Sequence, residues 1–216
     1  MPATLYEACW IFMIYAFIGW IVEVVYVGLN SGHFVNRGFL NGPYCPIYGF
    51  GVLIVVSLLS PFQDNLIPLF LGSVLLTSTL EFSTGFILEK LFSRKWWDYS
   101  DVPFNLMGYV CLKFSILWGL GCVFVLKIIH PHIHDIIQFV PAKIGSPLLL
   151  ISIIWIVVDL AATIDLAWNE KKNLRVLEES AKKMRKISDN LGKGVYEAAN
   201  DISEKVESTR ERFKKK

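Results

Sequence analysis

Asn36-Arg37-Gly38-Phe39-Leu40-Asn41-Gly42-Pro43-Tyr44-Cys45-Pro46-Ile47-Tyr48-Gly49 decides the architecture, because it lies between two long apolar runs and suits neither a regular helix nor an aqueous loop. Its fourteen residues hold three glycines and two prolines. Each proline removes a backbone donor and each glycine adds conformational entropy, so a regular helix is not expected. Yet much of the stretch is apolar or aromatic, where a loop in water would carry Ser, Asp, Lys and Glu. It is expected to pack against protein at or near a membrane boundary, where irregular backbone is tolerated only when buried in protein or lining a wet cavity.

The rest of the composition agrees. Of 216 residues, 54% are hydrophobic and the mean hydropathy is +0.47, values of the polytopic membrane class. The net charge of +2 hides a division. Residues 1–169 hold 7 Lys and Arg against 10 Asp and Glu, whereas residues 170–216 hold 14 against 9. The two parts are therefore read as a transmembrane domain and a basic tail. Cys9, Cys45, Cys111 and Cys122 lie in or beside apolar segments without a C-x-x-C pair, so small buried thiols are expected, and neither a disulfide framework nor a zinc ribbon. Met1-Pro2-Ala3-Thr4 lacks Lys, Arg and an A-x-A site, and the apolar run that follows is too long for a signal sequence, so it is read as a retained span.

Windows long enough to cross about 30 Å of hydrocarbon give five spans. They are Leu5 to Leu29, Ile47 to Leu59, Leu66 to Phe92, Met107 to Ile129 and Pro147 to Trp168. The second is only roughly 20 Å of helix, so part of Asn41 to Pro46 must supply the missing depth, as broken helices do in transporters. Arg37 lies in the first connection, Lys90, Arg94 and Lys95 in the third and the basic tail after the fifth span, while the second has no Lys or Arg and the fourth only Lys127 and Lys143. This places the odd connections and the tail in the cytoplasm and the N-terminus outside. Trp96, Trp97, Tyr99 and Trp168 suit an aromatic belt on that inner face.

A shift of 66 residues lays Gly19 to Cys45 on Gly85 to Cys111 with six identities in 27 positions, among them Glu23 on Glu89, Gly42 on Gly108 and Cys45 on Cys111. This predicts two helical hairpins, about 5–60 and 66–129, as parallel repeats about an axis along the membrane normal. The fold class is an all-α bundle of those hairpins and a fifth span, about 147–168, followed by an amphipathic cytoplasmic helix. In that tail Leu174, Leu177, Ala181, Met184, Leu191, Val195, Ala198 and Ile202 recur at helical steps, with Ser188 filling the missing one. Gly192 and Gly194 predict a break near residue 190. The plainer expectation is a solvated helix along the headgroups, the sharper one a partner-binding coil.

Ionisable groups inside spans cost about 3 kcal/mol and normally face the bundle interior or a wet cavity. Glu23, Glu81, Glu89, Lys113 and Asp159 qualify. At 1.5 Å per residue, Glu23, Lys113, Asp159 and Glu81 stand roughly 9 to 17 Å from the inner surface. They predict a polar layer in which Glu23, Glu81 and Asp159 face Lys113 and Arg37; internal ion pairs that fix packing are the alternative. In Trp96 to Asn105, Asp98 and Asp101 are expected to cap backbone donors, with Asp98 also in reach of Arg37. His130, His132 and His134 would share a face with metal-ligand spacing if extended, but Pro131 favours a plain loop without metal. The motifs of P-loop ATPases, zinc proteases and serine hydrolases are missing.

Four stretches then carry a resemblance. They are Gly19-Trp20-x-x-Glu23, Asn36 to Gly49 with Asn36, Arg37, Asn41, Gly42, Pro43, Cys45, Pro46 and Tyr48, Leu88-Glu89-Lys90-Leu91-Phe92, and Trp97-Asp98-Tyr99-Ser100-x-x-Pro103-Phe104-Asn105 with Cys111-Leu112. Over most of residues 10–125 the chain resembles the bacterial membrane-protein family labelled putative ABC-transporter type IV. Met107 departs from the pattern, which implies a polar residue there, often Asn. The resemblance implies a permease-like subunit of the bacterial inner membrane. Together with the residues it leads to the expectation of small polar or charged solute transport, with an ATP-hydrolysing subunit in trans and as a homo-oligomer in the bilayer. No enzymatic activity, cofactor or nucleic-acid partner is expected. A non-transporting scaffold acting through the tail, or an intramembrane enzyme using Glu23 or Glu81 as base, are the alternatives.

Overall fold

A computed structural model describes residues 2–36, 38–168 and 175–214. The helices are α1 Leu5–Ser31, α2 Pro46–Leu59, α3 Leu66–Phe92, α4 Leu112–Phe124, α5 His130–Phe139, α6 Ala142–Trp168 and α7 Arg175–Lys214. A short 3-10 turn, Ser60–Phe62, extends α2, and a small antiparallel hairpin pairs β1, Asn105–Leu106, with β2, Val110–Cys111.

Among the described residues four helices are long and apolar enough to cross a membrane: Leu5–Ser31, Leu66–Phe92, Leu112–Phe139 and Ala142–Ala167. The apolar helix Pro46–Phe62 is shorter. Many large apolar side chains on these helices point outward, including Leu71, Leu75, Leu120, Leu150 and Ile151. Such a surface matches hydrocarbon as its solvent.

The helix ends follow from local chemistry. Thr4 Oγ1 caps α1 by accepting the Glu7 N–H at 3.2 Å, and Glu7 Oε2 reaches back to accept the Ala3 N–H at 2.7 Å, a variant of the capping box displaced by one residue. Asn65 caps α3 by accepting the Ile67 N–H, and Ser93 ends it in the left-handed region at φ 52°. The expected fourth span begins at Met107, but α4 begins only at Leu112. Met107 and Gly108 have φ of 56° and 76°, and Tyr109 N–H donates to the Leu106 carbonyl. Two consecutive positive φ values across a tight hairpin are the signature of a type I′ turn, which takes these residues out of the helix.

The His130-Pro131-His132-Ile133-His134 run is helical, correcting the expected loop. A π turn at Val125–Ile129 lies just before it. That widening accommodates Pro131, whose ring would clash with the carbonyl of a regular preceding turn. One helical turn apart, His130 and His134 approach α1: His134 Nε2 lies 3.1 Å from Glu7 Oε1, and His130 Nδ1 pairs with Tyr15 Oη at 3.4 Å. The extended geometry that metal binding by alternate histidines requires is not there.

Contacts divide the chain into two compact units, Met1–Ala16 with Pro46–Ile154, and Phe17–Cys45 with Trp155–Lys216. In the first, α3 packs along α4, Ser78 and Ser115 share a hydroxyl hydrogen bond at 2.8 Å, and Val55, Val56, Leu59, Leu69 and Leu126 form the core. In the second, α7 docks on the later half of α1 and on residues 31–36. It is one continuous helix, so the expected break near residue 190 is absent. Gly192 explains this, since a Cβ there would lie 2.3 Å from the Phe34 ring and 3.2 Å from that of Trp20. The missing side chain lets the helix approach, and that packing outweighs the ~1 kcal/mol glycine cost in a helix. Ala181, Met184 and Ser188 are buried on the same stripe, whereas Leu191 and Ile202 are exposed. Leu174 lies outside the described residues, as do Arg37 and the side chains of Leu177 and Trp168.

Candidate functional site

The irregular stretch is fastened to α6 by one carboxylate. Asp159 is 0% exposed. Its Oδ1 accepts the backbone N–H of Asn41 at 3.3 Å and the Asn41 amide at 3.0 Å; its Oδ2 accepts the Gly42 N–H at 2.7 Å and the Tyr44 hydroxyl at 2.9 Å. Asn41 Nδ2 also donates to Thr163 Oγ1, one helical turn along from Asp159.

The sequence dictates how these donors converge. Tyr44 N–H donates to the Gly42 carbonyl at 2.9 Å, a γ-turn centred on Pro43, whose fixed φ suits that position. The turn folds the Tyr44 ring back over Gly42, where a Cβ would lie 2.4 Å from the ring, so the position requires glycine. Cys45 is buried directly behind, and Pro46 opens α2 at its first position, where its absent N–H costs nothing. Tyr48 stands edge-on to Trp118 at 5.5 Å, within the first unit.

Asn36 makes a second junction. Its Oδ1 accepts from Trp20 Nε1 and from Ser188 Oγ, both at 3.0 Å, and its Nδ2 donates to Asp189 Oδ1 at 3.0 Å. This one amide joins α1 and α7.

In the first unit Glu81 and Glu89 lie two turns apart on α3 and accept hydroxyls from the segment that follows. Tyr99 donates to Glu81 Oε1 at 3.1 Å and Tyr109 to Glu89 Oε2 at 2.7 Å. That segment is tied on itself. Asp98 Oδ1 accepts both the Ser100 N–H and its hydroxyl, and Lys95 reaches Asp98 Oδ2 at 3.3 Å. The Ser100 hydroxyl, then its N–H, then Lys95, hold the Asp98 carboxyl below its usual range. Asn105 Nδ2 donates to the Ser100 and Val102 carbonyls while its Oδ1 accepts the Gly108 N–H, and Trp97 Nε1 donates to the Tyr109 carbonyl.

The expected polar layer is thus described in separate parts. Asp159 joins Asn41, Gly42 and Tyr44 in the second unit, where Glu23 is partly buried on α1. Glu81 and Glu89 take tyrosines in the first, and Lys113 there is exposed, with the Phe114 ring 5.6 Å away. No carboxylate stands within ion-pairing distance of Lys113 among the described residues. Arg37, expected as a partner of the layer and of Asp98, lies outside them.

Glu7, 3% exposed, and Tyr15 were not expected from the sequence. The Thr4-x-x-Glu7 capping signature was the available signal for the first; nothing local marks the second.

Several long apolar helices with lipid-matched surfaces, and carboxylates buried among them on neutral donors, define a multi-pass helical membrane protein. The chain belongs to the family described as Putative ABC-transporter type IV, whose sequence model matches residues 10–164. No solved structure matches it.

Proposed function

We propose that the chain is a permease-like subunit that moves a small polar or charged solute, with ATP hydrolysed by a separate partner subunit. One observation carries this reading: a fully buried carboxylate, Asp159, grips an irregular, glycine- and proline-rich segment, and its donors among the described residues are neutral. An ionised carboxylate only accepts. Each of those donors can therefore be exchanged for a donor on a passing solute or cation, releasing the 41–44 segment that leads into α2. Broken helices next to buried charge are the usual form of such sites.

In this reading residues 39–45 and Pro46–Leu59 together make a fifth crossing, and the two hairpins are parallel repeats. The immediate placement of Cys45 before α2 and of Cys111 before α4 supports the repeat. The N-terminus faces outward and α7 lies in the cytoplasm of a bacterial inner membrane. Five crossings are few for a pathway, so the subunit works as a homo-oligomer. It performs no catalytic step itself. Purification from the native membrane in mild detergent tests the proposal: an ATP-hydrolysing subunit in stoichiometric amount supports it, and a homo-oligomer without one rejects it.

One observation favours a second reading, a scaffold or regulator. Residues 201–210 of α7 are exposed all round, with Ile202 and Val206 on the surface. Removing residues 201–216 separates the two, abolishing a scaffold's function and sparing a permease's flux.

A further inference from the structure

A cleft of about 310 Å³ opens beside the start of α4, lined by Val102, Pro103, Phe104, Leu112, Lys113 and Ile116. Five of these walls are apolar and one carries a positive charge. Leu112 is the first residue of a membrane-length helix, so the cleft sits where hydrocarbon gives way to headgroups.

Three features of this corner point to one occupant. Lys113 is exposed and has no carboxylate in ion-pairing range among the described residues, whereas Lys95, in the segment between α3 and α4, is committed to Asp98 and the Met107 carbonyl. Phe104 is 83% exposed and is held at φ 57°, a conformation that costs a non-glycine residue about 1 kcal/mol or more. Its carbonyl is fixed there by the Leu112 N–H at 3.1 Å, so the ring stands at the rim of the cleft rather than folding into the protein. Finally, a cation beside lipid is costly unless an anion or water meets it. A phosphate at the membrane surface supplies that anion, and basic pockets beside membrane helices take anionic headgroups.

We propose that this cleft binds one anionic phospholipid, with Lys113 Nζ on the headgroup phosphate and the first methylenes of an acyl chain along Phe104, Leu112 and Ile116. The proposal does not rest on the transport reading, since none of the observations behind it involves Asp159 or the 41–44 segment.

Reconstitution in nanodiscs of phosphatidylcholine doped with phosphatidylglycerol, followed by native mass spectrometry, tests it. The wild-type chain retains phosphatidylglycerol in preference to phosphatidylcholine. Lys113→Gln lowers that preference about fivefold, the equivalent of ~1 kcal/mol for one surface lysine, and Lys113→Arg keeps it. Ile116→Trp, which fills the cleft and leaves the charge, also lowers it. Equal retention of both lipids by the wild-type chain overturns the proposal, as does an unchanged preference in both Lys113→Gln and Ile116→Trp. Lys113 is exposed, so its replacement leaves the fold intact and the comparison stays meaningful.

Discussion

Tyr44 donates its hydroxyl to Asp159 Oδ2 at 2.9 Å, and the same oxygen takes the Gly42 N–H at 2.7 Å. Two donors separated by a single proline thus meet on one atom of a helix more than a hundred residues later in the chain. Remove the carboxylate and both lose their partner in a site closed to water.

Asp159→Ala should therefore cost about 3 kcal/mol, because it leaves buried donors without an acceptor at about 1–3 kcal/mol for each one that cannot find another. Tyr44→Phe, which removes one donor and leaves the acceptor filled by three others, should cost ~1 kcal/mol. Cys45, 5% exposed, reports both. In a chain whose other cysteines are alanine, its maleimide labelling should rise about a hundredfold for Asp159→Ala and only a few-fold for Tyr44→Phe. Equal rates in all three proteins would refute the fastening role.

Met107 occupies the first turn position of the hairpin at φ 56°, where Asn is favoured and methionine is strained. Met107→Asn should stabilise the protein by roughly 0.5–1 kcal/mol, seen as a higher midpoint in thermal unfolding in detergent. A lower midpoint would mean that the exposed methionine makes a contact worth more than the strain.

These cases mark what the sequence makes legible. The α3 range Leu66–Phe92 is readable because Asn65 caps an apolar run of spanning length. The start of α4 is not, because Met107, Tyr109 and Val110 look apolar enough to continue a span; the turn became visible only through backbone angles. An acid inside a span announces that it needs a partner, which marked Asp159, Glu81 and Glu89. It does not announce which partner. Of the cations expected, Lys113 pairs with none of these acids and Arg37 lies outside the described residues; the donors described are amides and phenols brought by distant segments. Likewise the glycines of α7 look like breakers until Phe34 and Trp20 are seen against one of them.

Gly192→Leu sets two effects against each other. Leucine favours an isolated helix by about 1 kcal/mol, but its side chain must displace the Phe34 ring and the buried Trp20. Packing should win. In the whole chain the variant should expose residues 181–192 to hydrogen exchange, while the isolated tail peptide becomes more helical. Unchanged exchange would show that α7 docks through other contacts.

Asp98 supplies a pH dependence. Its carboxyl is held below the usual range when folded, so its contribution is present above that range and is lost as pH falls through it, from about pH 4 downward. Trp97 fluorescence should report loosening of the segment over that window. The difference between the wild-type chain and Asp98→Asn should shrink as the pH falls, and a constant difference would contradict the assignment.

The most direct test of the transport account is ATP hydrolysis by the complex purified from its native membrane and placed in proteoliposomes, compared between the wild-type chain and Asp159→Asn. The amide keeps the side chain's shape but presents an NH2 group to donors that need an acceptor. The account predicts that the partner's hydrolysis depends on the wild-type chain and falls with Asp159→Asn while the complex still assembles. An intact complex that hydrolyses ATP equally well with either residue, or a chain that purifies with no ATP-hydrolysing partner, would contradict it.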